Sequence, residues 1–363
     1  MLMLLLHYQG LLYTKISLPT FHAYTLIFTV FTQFFAGFLF TMFPRFLATS
    51  AITRESYLKP FLLLNLSAIL FIFCAFAAPS FTPITAIGIF IAYLMIGQVL
   101  WQSNRQSSIT ARFDVNWILS ALAAGAISHL FFLWSFIDPG QTIIRQAAIQ
   151  SGVFLYLFML ILTLSQKMIP FFTEGKVTGY KANRSHYFLH TIAGLLLIKV
   201  LFTIFSLNSY GFIDGLLFII TLSEFIRWRL PVRQVEAILW VLYLSLIWIP
   251  ISFLLYAIEG FTPSSFIFEK APLHAIAIGY FTTILIGFST RIILGHAGQK
   301  PAADRYTIML FALVQIIATT RIMAGLSLNS EIPLFLEAIT LSTLMWLGLF
   351  IFWLKRYIKL LFN

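Results

Sequence analysis

The chain has 363 residues, of which 60% are hydrophobic and only 10% charged. A soluble domain carries about a quarter charged residues, so a water-soluble globular protein is excluded and lipid is the natural solvent. The net charge of +11 does not indicate nucleic acid, because Lys and Arg stand singly or in small groups between apolar runs rather than on one dense face.

In chain order, the segment 1–12 is apolar and contains His7. It has no basic start and no clear cleavage site, so it does not read as a signal peptide. It is also too short to cross a core that needs about 20 residues. It reads as the tail of a helix whose beginning is absent. Eleven longer apolar runs come next, near 21–44, 60–78, 82–101, 114–137, 142–164, 186–207, 210–226, 236–258, 272–294, 304–325 and 331–354. Their length fits bilayer-spanning helices, and strict alternation of the barrel type is missing. Lipid obliges every backbone group to bond internally, which leaves helix as the reading. The predicted fold is all-α: a polytopic transmembrane bundle of about eleven helices, with residues 1–363 forming a single transmembrane domain.

The loops predict orientation. Basic residues cluster at every second connection: Arg45, Arg54 and Lys59; Arg105 and Arg112; Lys167, Lys176, Lys181 and Arg184; Arg227, Arg229 and Arg233; Arg291, Lys300 and Arg305; and the tail Lys355, Arg356 and Lys359. These are 18 of the 23 basic residues. The alternation is the positive-inside signature and predicts a cytoplasmic C-terminus. No Gly-rich phosphate loop occurs, which argues against an ATP-driven pump. The single cysteine, Cys74, allows no internal disulfide, and no C-x-x-C-H motif for covalent haem exists.

Polar groups inside a bilayer are costly, so each raises a functional question. His22 opens the first long run and His274 the ninth, both at their outer ends. His129 lies 15 residues beyond Asp114 in the fourth, roughly 22 Å up a core of about 30 Å. These three histidines share the outer third, and convergence from separate helices is how bundles bind haem iron or copper. The alternative is three unrelated interfacial histidines. His186, His190 and His296 lie on the cytoplasmic side. His22, Thr29, Gln33 and Gly37 recur at helical spacing, a polar and small stripe facing protein or a cofactor. Arg145 and Arg321, near outer helix ends, either hold haem propionates or snorkel to the interface. Asp214 and Glu337 lie in the same region. Lys199, well inside its run, pairs with a carboxylate or lines a polar path. Ala275 and Gly279 form a small-xxx-small pair suited to close packing.

At these residues the sequence resembles the NnrS family, multi-spanning bacterial membrane proteins linked to nitric oxide. Phe21-His22-Ala23-Tyr24, with Ala36-Gly37-Phe38-Leu39 and Phe43-Pro44 downstream, is similar to the family's W-H-A-H-E-M block with A-G-F-L and V-P-N. Lys167-Met168-Ile169-Pro170-Phe171-Phe172-Thr173 resembles R-V-I-P-x-F-T. Leu273-His274-Ala275, Thr290-Arg291 and Leu294-Gly295-His296-Ala297-Gly298 resemble H-A-L-T-x-G, T-R and L-G-H-T-G. His129-Leu130 falls where members often have His-Leu. The resemblance implies a haem- and copper-containing protein of the bacterial inner membrane that supports the response to nitric oxide and nitrosative stress. Cofactor binding would fall to His22, His129 and His274 with Arg145 and Arg321, metal binding to His22, His274 and His296. Nitric oxide or its metal complexes would be the small-molecule partner.

Three departures stand out. Tyr24 replaces the family's second histidine, a tyrosine whose expected role is interface anchoring, Thr25 stands where the family has glutamate, and the family's first helix is missing. They keep a degraded family member open as an alternative. A metal-free secondary transporter is the other. Against it, Pro44, Pro170, Pro250 and Pro272 are expected near helix ends rather than centres, and the His-Ala recurrence at 22 and 274 does not extend with constant spacing, so the repeat signal is weak.

Overall fold

A computed structural model describes residues 2–207, 210–263, 265–331 and 334–361. Among these the chain is helical and has no strand. We number the helices α1 (Leu2–Tyr8), α2 (Leu18–Leu47), α3 (Arg54–Ala77), α4 (Pro79–Gln106), α5 (Phe113–Ile137) and α6 (Thr142–Glu174), then α7 (Phe188–Ile204), α8 (Tyr210–Arg227), α9 (Ala237–Phe261), α10 (Ala271–His296), α11 (Arg305–Asn329) and α12 (Phe335–Leu361). All eleven expected runs are helices. Nine are long and apolar enough to cross a membrane among the described residues. The other two are α7, with 17 residues, and α8, whose 18 residues include Asp214, Glu224 and Arg227.

Start signals are local. Pro19, Pro83 and Pro272 sit in first turns, where a missing N–H costs nothing. Asp304 caps α11, accepting from the Thr307 backbone N–H at 2.8 Å and the Thr307 hydroxyl at 2.7 Å. Pro44 and Pro170 lie near the ends of α2 and α6, as expected. Pro250 does not: α9 runs from Ala237 to Phe261, which puts this proline at the middle of a span.

Three spans are interrupted by π-helix, at Thr25–Phe31 in α2, Ser151–Phe158 in α6 and Ala275–Thr282 in α10. The interruptions begin 126 and 124 residues apart and fall in every fourth span. Pro44 and Pro170 are 126 residues apart, and Tyr156 and Tyr280, both fully buried inside π stretches, are 124 apart. The chain is therefore a succession of modules, two of four spans and a third of three among the described residues, each opening on an α–π–α helix. A repeat that looked weak in residue identities is regular in backbone geometry.

Contacts divide the chain into two compact units. One comprises residues 9–164 and 200–206. In it Gly125 and Gly152 let α5 approach the π stretch of α6: a Cβ on Gly125 would collide with the Tyr93 hydroxyl, and one on Gly152 would stand 2.7 Å from Ser128 Oγ. Ser128 in turn donates to the Ala148 carbonyl at 2.8 Å. The Tyr156 and Thr32 hydroxyls, 2.9 Å apart, join the π stretch of α6 to α2.

The other unit comprises residues 1–8, 165–199 and 207–363. There Tyr280 of the α10 π stretch lies 2.8 Å from the Ser165 hydroxyl. Gly279 faces Trp248, whose ring leaves no room for a Cβ. Trp248 donates to Gln315 at 2.6 Å, and Gln315 donates to Thr283 at 3.0 Å, linking α9, α11 and α10.

Candidate functional site

In the unit formed by residues 9–164 and 200–206, α2, α4 and α5 bring Tyr24, Ala86 and His129 together. Tyr24 and His129 are each 0% exposed. The Tyr24 hydroxyl lies 2.8 Å from His129 Nε2, and the Ala86 carbonyl lies 3.3 Å from that nitrogen and 3.4 Å from the hydroxyl. Rings close around the imidazole, with centroid distances of 4.2 Å to Phe28 and 4.9 Å to Phe90. Phe71 and Phe136 wall Tyr24 at 4.6 and 5.0 Å. Tyr24 is thus a core residue and not an interface anchor. His129 Nδ1 is buried with no hydrogen-bond partner among the described residues. An unpaired acceptor is tolerated better than an unpaired N–H donor. This favours the tautomer in which Nε2–H donates to Tyr24, Tyr24 donates to Ala86, and Nδ1 keeps a lone pair.

Tyr24 occupies His129 Nε2, and the tilted Phe28 and Phe90 rings crowd the imidazole.

His22 is half-buried on the α-helical turn just before the π stretch of α2. A π turn holds one residue more than an α turn, so the helical turns on its two sides are rotated by roughly 100° relative to each other. The stripe expected from His22 through Gly37 is therefore split. Beyond the break Gln33 donates to Asn65 at 3.3 Å, and Gly37 is exposed with open space at its Cβ position. Arg145 is half-buried in the first turn of α6.

In the unit containing residues 207–363, His274 ends the short α-helical start of α10, immediately before its π stretch. Glu269 and Lys270 take left-handed backbone conformations, φ 39° and 61°, and turn the chain into that helix. His274 Nδ1 lies 2.8 Å from the Lys270 carbonyl. A carbonyl accepts only, so Nδ1 carries a proton, the arrangement seen where an imidazole binds a metal through its other nitrogen. Ala271 and Ala275 flank His274 and pack on Ile322 of α11. Gly325 brings α11 against the chain before α10, 2.7 Å separating its would-be Cβ from the Phe268 carbonyl. Arg321, next to Ile322, has its Nη1 buried with no hydrogen-bond partner among the described residues, while Tyr8 and Glu269 lie within electrostatic reach. His274 and Arg321 thus lie on helices in contact, the first with Nδ1 tied to a carbonyl and the second with a buried Nη1 short of a partner among the described residues.

His296 is exposed at the other end of α10. It stands roughly 30 Å from His274 at 1.5 Å per residue, so the two cannot share one ion. Among the described residues no three His, Cys, Asp or Glu side chains gather as a metal set. Near that end, the Arg291 guanidinium stacks on the Phe172 ring at 3.9 Å, and Thr290 accepts from the Trp353 indole at 2.9 Å. Thr173 lies 2.7 Å from the Tyr243 hydroxyl. The Ile-Pro-Phe-Phe-Thr and Thr-Arg blocks, far apart in sequence, are therefore joined in space.

Sequence reasoning expected Lys199 either to pair with a carboxylate or to line a polar path. The structure identifies Asp214, whose two oxygens each lie 2.8 Å from the ammonium. It did not anticipate Tyr256, whose ring centroid lies 3.8 Å from Lys199 Nζ.

Fold and site together define a polytopic helical membrane protein with interrupted spans and buried histidine, arginine and ion-pair chemistry. The chain belongs to the NnrS family: the family described as NnrS protein matches residues 1–363, the whole chain. Membership makes it a membrane protein of the nitric oxide response. No match is found among curated proteins or among solved structures.

Proposed function

We propose that this protein is a haem- and copper-binding protein of the bacterial inner membrane that supports resistance to nitric oxide and nitrosative stress, with its C-terminus in the cytoplasm. The observation that carries the reading is that His274 and Arg321 stand on helices packed together through Ala271, Ala275 and Ile322, in a chain of this family. When bound, haem supplies an iron centre for nitric oxide. His274 would hold it through Nε2 while the Lys270 carbonyl fixes the ring and its tautomer. Arg321 would meet a propionate, which supplies the partner that its buried Nη1 lacks. His22, placed just ahead of its own π stretch, is the candidate in the other unit. Copper rests on the family resemblance alone, since no three-donor set is gathered among the described residues, and no step is assigned to it.

The test is an optical spectrum and metal analysis of the detergent-purified protein beside His274→Ala, Arg321→Ala and His22→Ala. A Soret band should appear in the wild type, be lost or shifted in His274→Ala and weaken in Arg321→Ala. A colourless, metal-free wild type would sink the proposal.

A second reading, a metal-free secondary transporter, draws on the three interrupted helices, the kind of element that lines transport sites. Substrate uptake by proteoliposomes of metal-free protein would favour it.

A further inference from the structure

We propose that Lys199, Asp214 and Glu259 form a proton-binding site within the bundle, entered from the end that carries Glu269 and Lys270. The pair at its heart is deeply placed. Lys199 of α7 and Asp214 of α8 are 3% and 0% exposed, and the ammonium touches both carboxylate oxygens. Tyr256 of α9 offers the ammonium its ring face. Glu259, nearly one turn further along α9, is within electrostatic reach of Lys199, Asp214, Glu269 and Lys270. Charged groups therefore continue from the connection before α10 to the buried pair.

A purely structural role is the competing account, and the repeat argues against it. The positions 126 residues before Lys199 and Asp214 are Phe73 in α3 and Gly88 in α4; those 124 residues after are Met323 in α11 and Ala338 in α12. Neither equivalent hairpin uses an ion pair there. The α3–α4 hairpin closes instead by small residues, with Ser67 Oγ filling the space where a Gly88 Cβ would be. The module thus folds without the ions. Burying two charges is expensive, and apolar residues of similar volume commonly serve as well or better. Ionisable groups kept in a membrane interior mark proton or ion pathways.

The step is a proton exchange alone. Hydronium at the rim gives its proton to the Glu259 carboxylate and leaves water. The proton then passes to an Asp214 oxygen, forming one O–H bond as the Glu259 O–H breaks. Lys199 stays an ammonium on the Tyr256 ring, and the Lys199–Asp214 pair goes from neutral to a single positive charge.

The experiment is infrared difference spectroscopy of the full chain in lipid nanodiscs, titrated from about pH 8 to about pH 5. It requires no cofactor, so its result is independent of haem binding. The wild type should gain a protonated-carboxyl band that Asp214→Asn removes. In Lys199→Met, which keeps the carboxylate and removes its counter-charge, the band should already be present at neutral pH. Glu259→Gln should slow its appearance after a pH jump. Should Asp214→Asn fail to fold, isotope labelling of aspartate in the wild type and Lys199→Met assigns the band. A wild type with no aspartate band across this range, or a Lys199→Met protein with none at neutral pH, would show a static pair and overturn the proposal.

Discussion

Tyr24 and His129 share a hydrogen bond inside a cage of aromatic rings, and the hydroxyl also approaches the Ala86 carbonyl. Tyr24 is therefore built into the core. Tyr24→Phe keeps the ring and deletes that partner. It should destabilise the protein by about 1–3 kcal/mol, read as a lower unfolding temperature in detergent; an unchanged temperature would mean that the hydroxyl holds nothing. Asp304 is a second case at this scale. The Thr307 hydroxyl, the Thr307 backbone N–H and Arg356 hold its carboxyl below the usual carboxylate range. A depressed folded value means its contribution is present above about pH 4 and lost as pH falls through that folded value. Asp304→Ala should cost about 1 kcal/mol near neutrality. The gap to wild type should close on acidification, as measured by thermal unfolding across pH.

Among elements, the three α–π–α spans set the pattern. A widened turn shifts the helical phase, so residues on either side of it face different ways. His22 and His274 both stand immediately ahead of such a break, where their direction is decided by the next turn. Close packing of these spans rests on glycines whose positions matter individually. Gly125→Ala would drive a Cβ against the Tyr93 hydroxyl and to within 2.8 Å of the Tyr156 ring. It should cost about 1–3 kcal/mol. Gly97→Ala meets nothing within 4 Å, and it should be neutral or stabilising by up to about 1 kcal/mol. Unfolding curves for the two variants provide the comparison, and equal effects would contradict the packing described.

At the scale of the molecule, alternating basic clusters give a topology that labelling can check. Cys74 is the one cysteine and is buried, so Cys74→Ser provides a silent background. Cysteines introduced at Lys181 and Lys359 should resist an impermeant maleimide in intact cells and react once the cytoplasmic side is opened. One at Gly140, between α5 and α6, should react from outside. The reverse pattern would invert the proposed orientation.

Helix number and class were legible in the sequence because they depend only on solvent: runs of about 20 apolar residues have no other stable form in lipid. Family blocks were legible because they are short and local. The expected outer gathering of His22, His129 and His274 was a statement about depth, and depth comes from counting residues along a helix. Direction and partner do not. The π turns arise from how one helix fits another, so no local signal announced that the Gln33–Gly37 stripe would part from His22. Tyr24 reads as an anchor until α4 and α5 close over it. Lys199 advertised the need for a carboxylate or a polar path through its cost in lipid, yet only helix packing could select Asp214 and set Tyr256 beside it. Composition and periodicity therefore determined that this is a membrane bundle. Tertiary packing decided which polar groups meet inside it, because their desolvation is offset only by partners brought from distant spans.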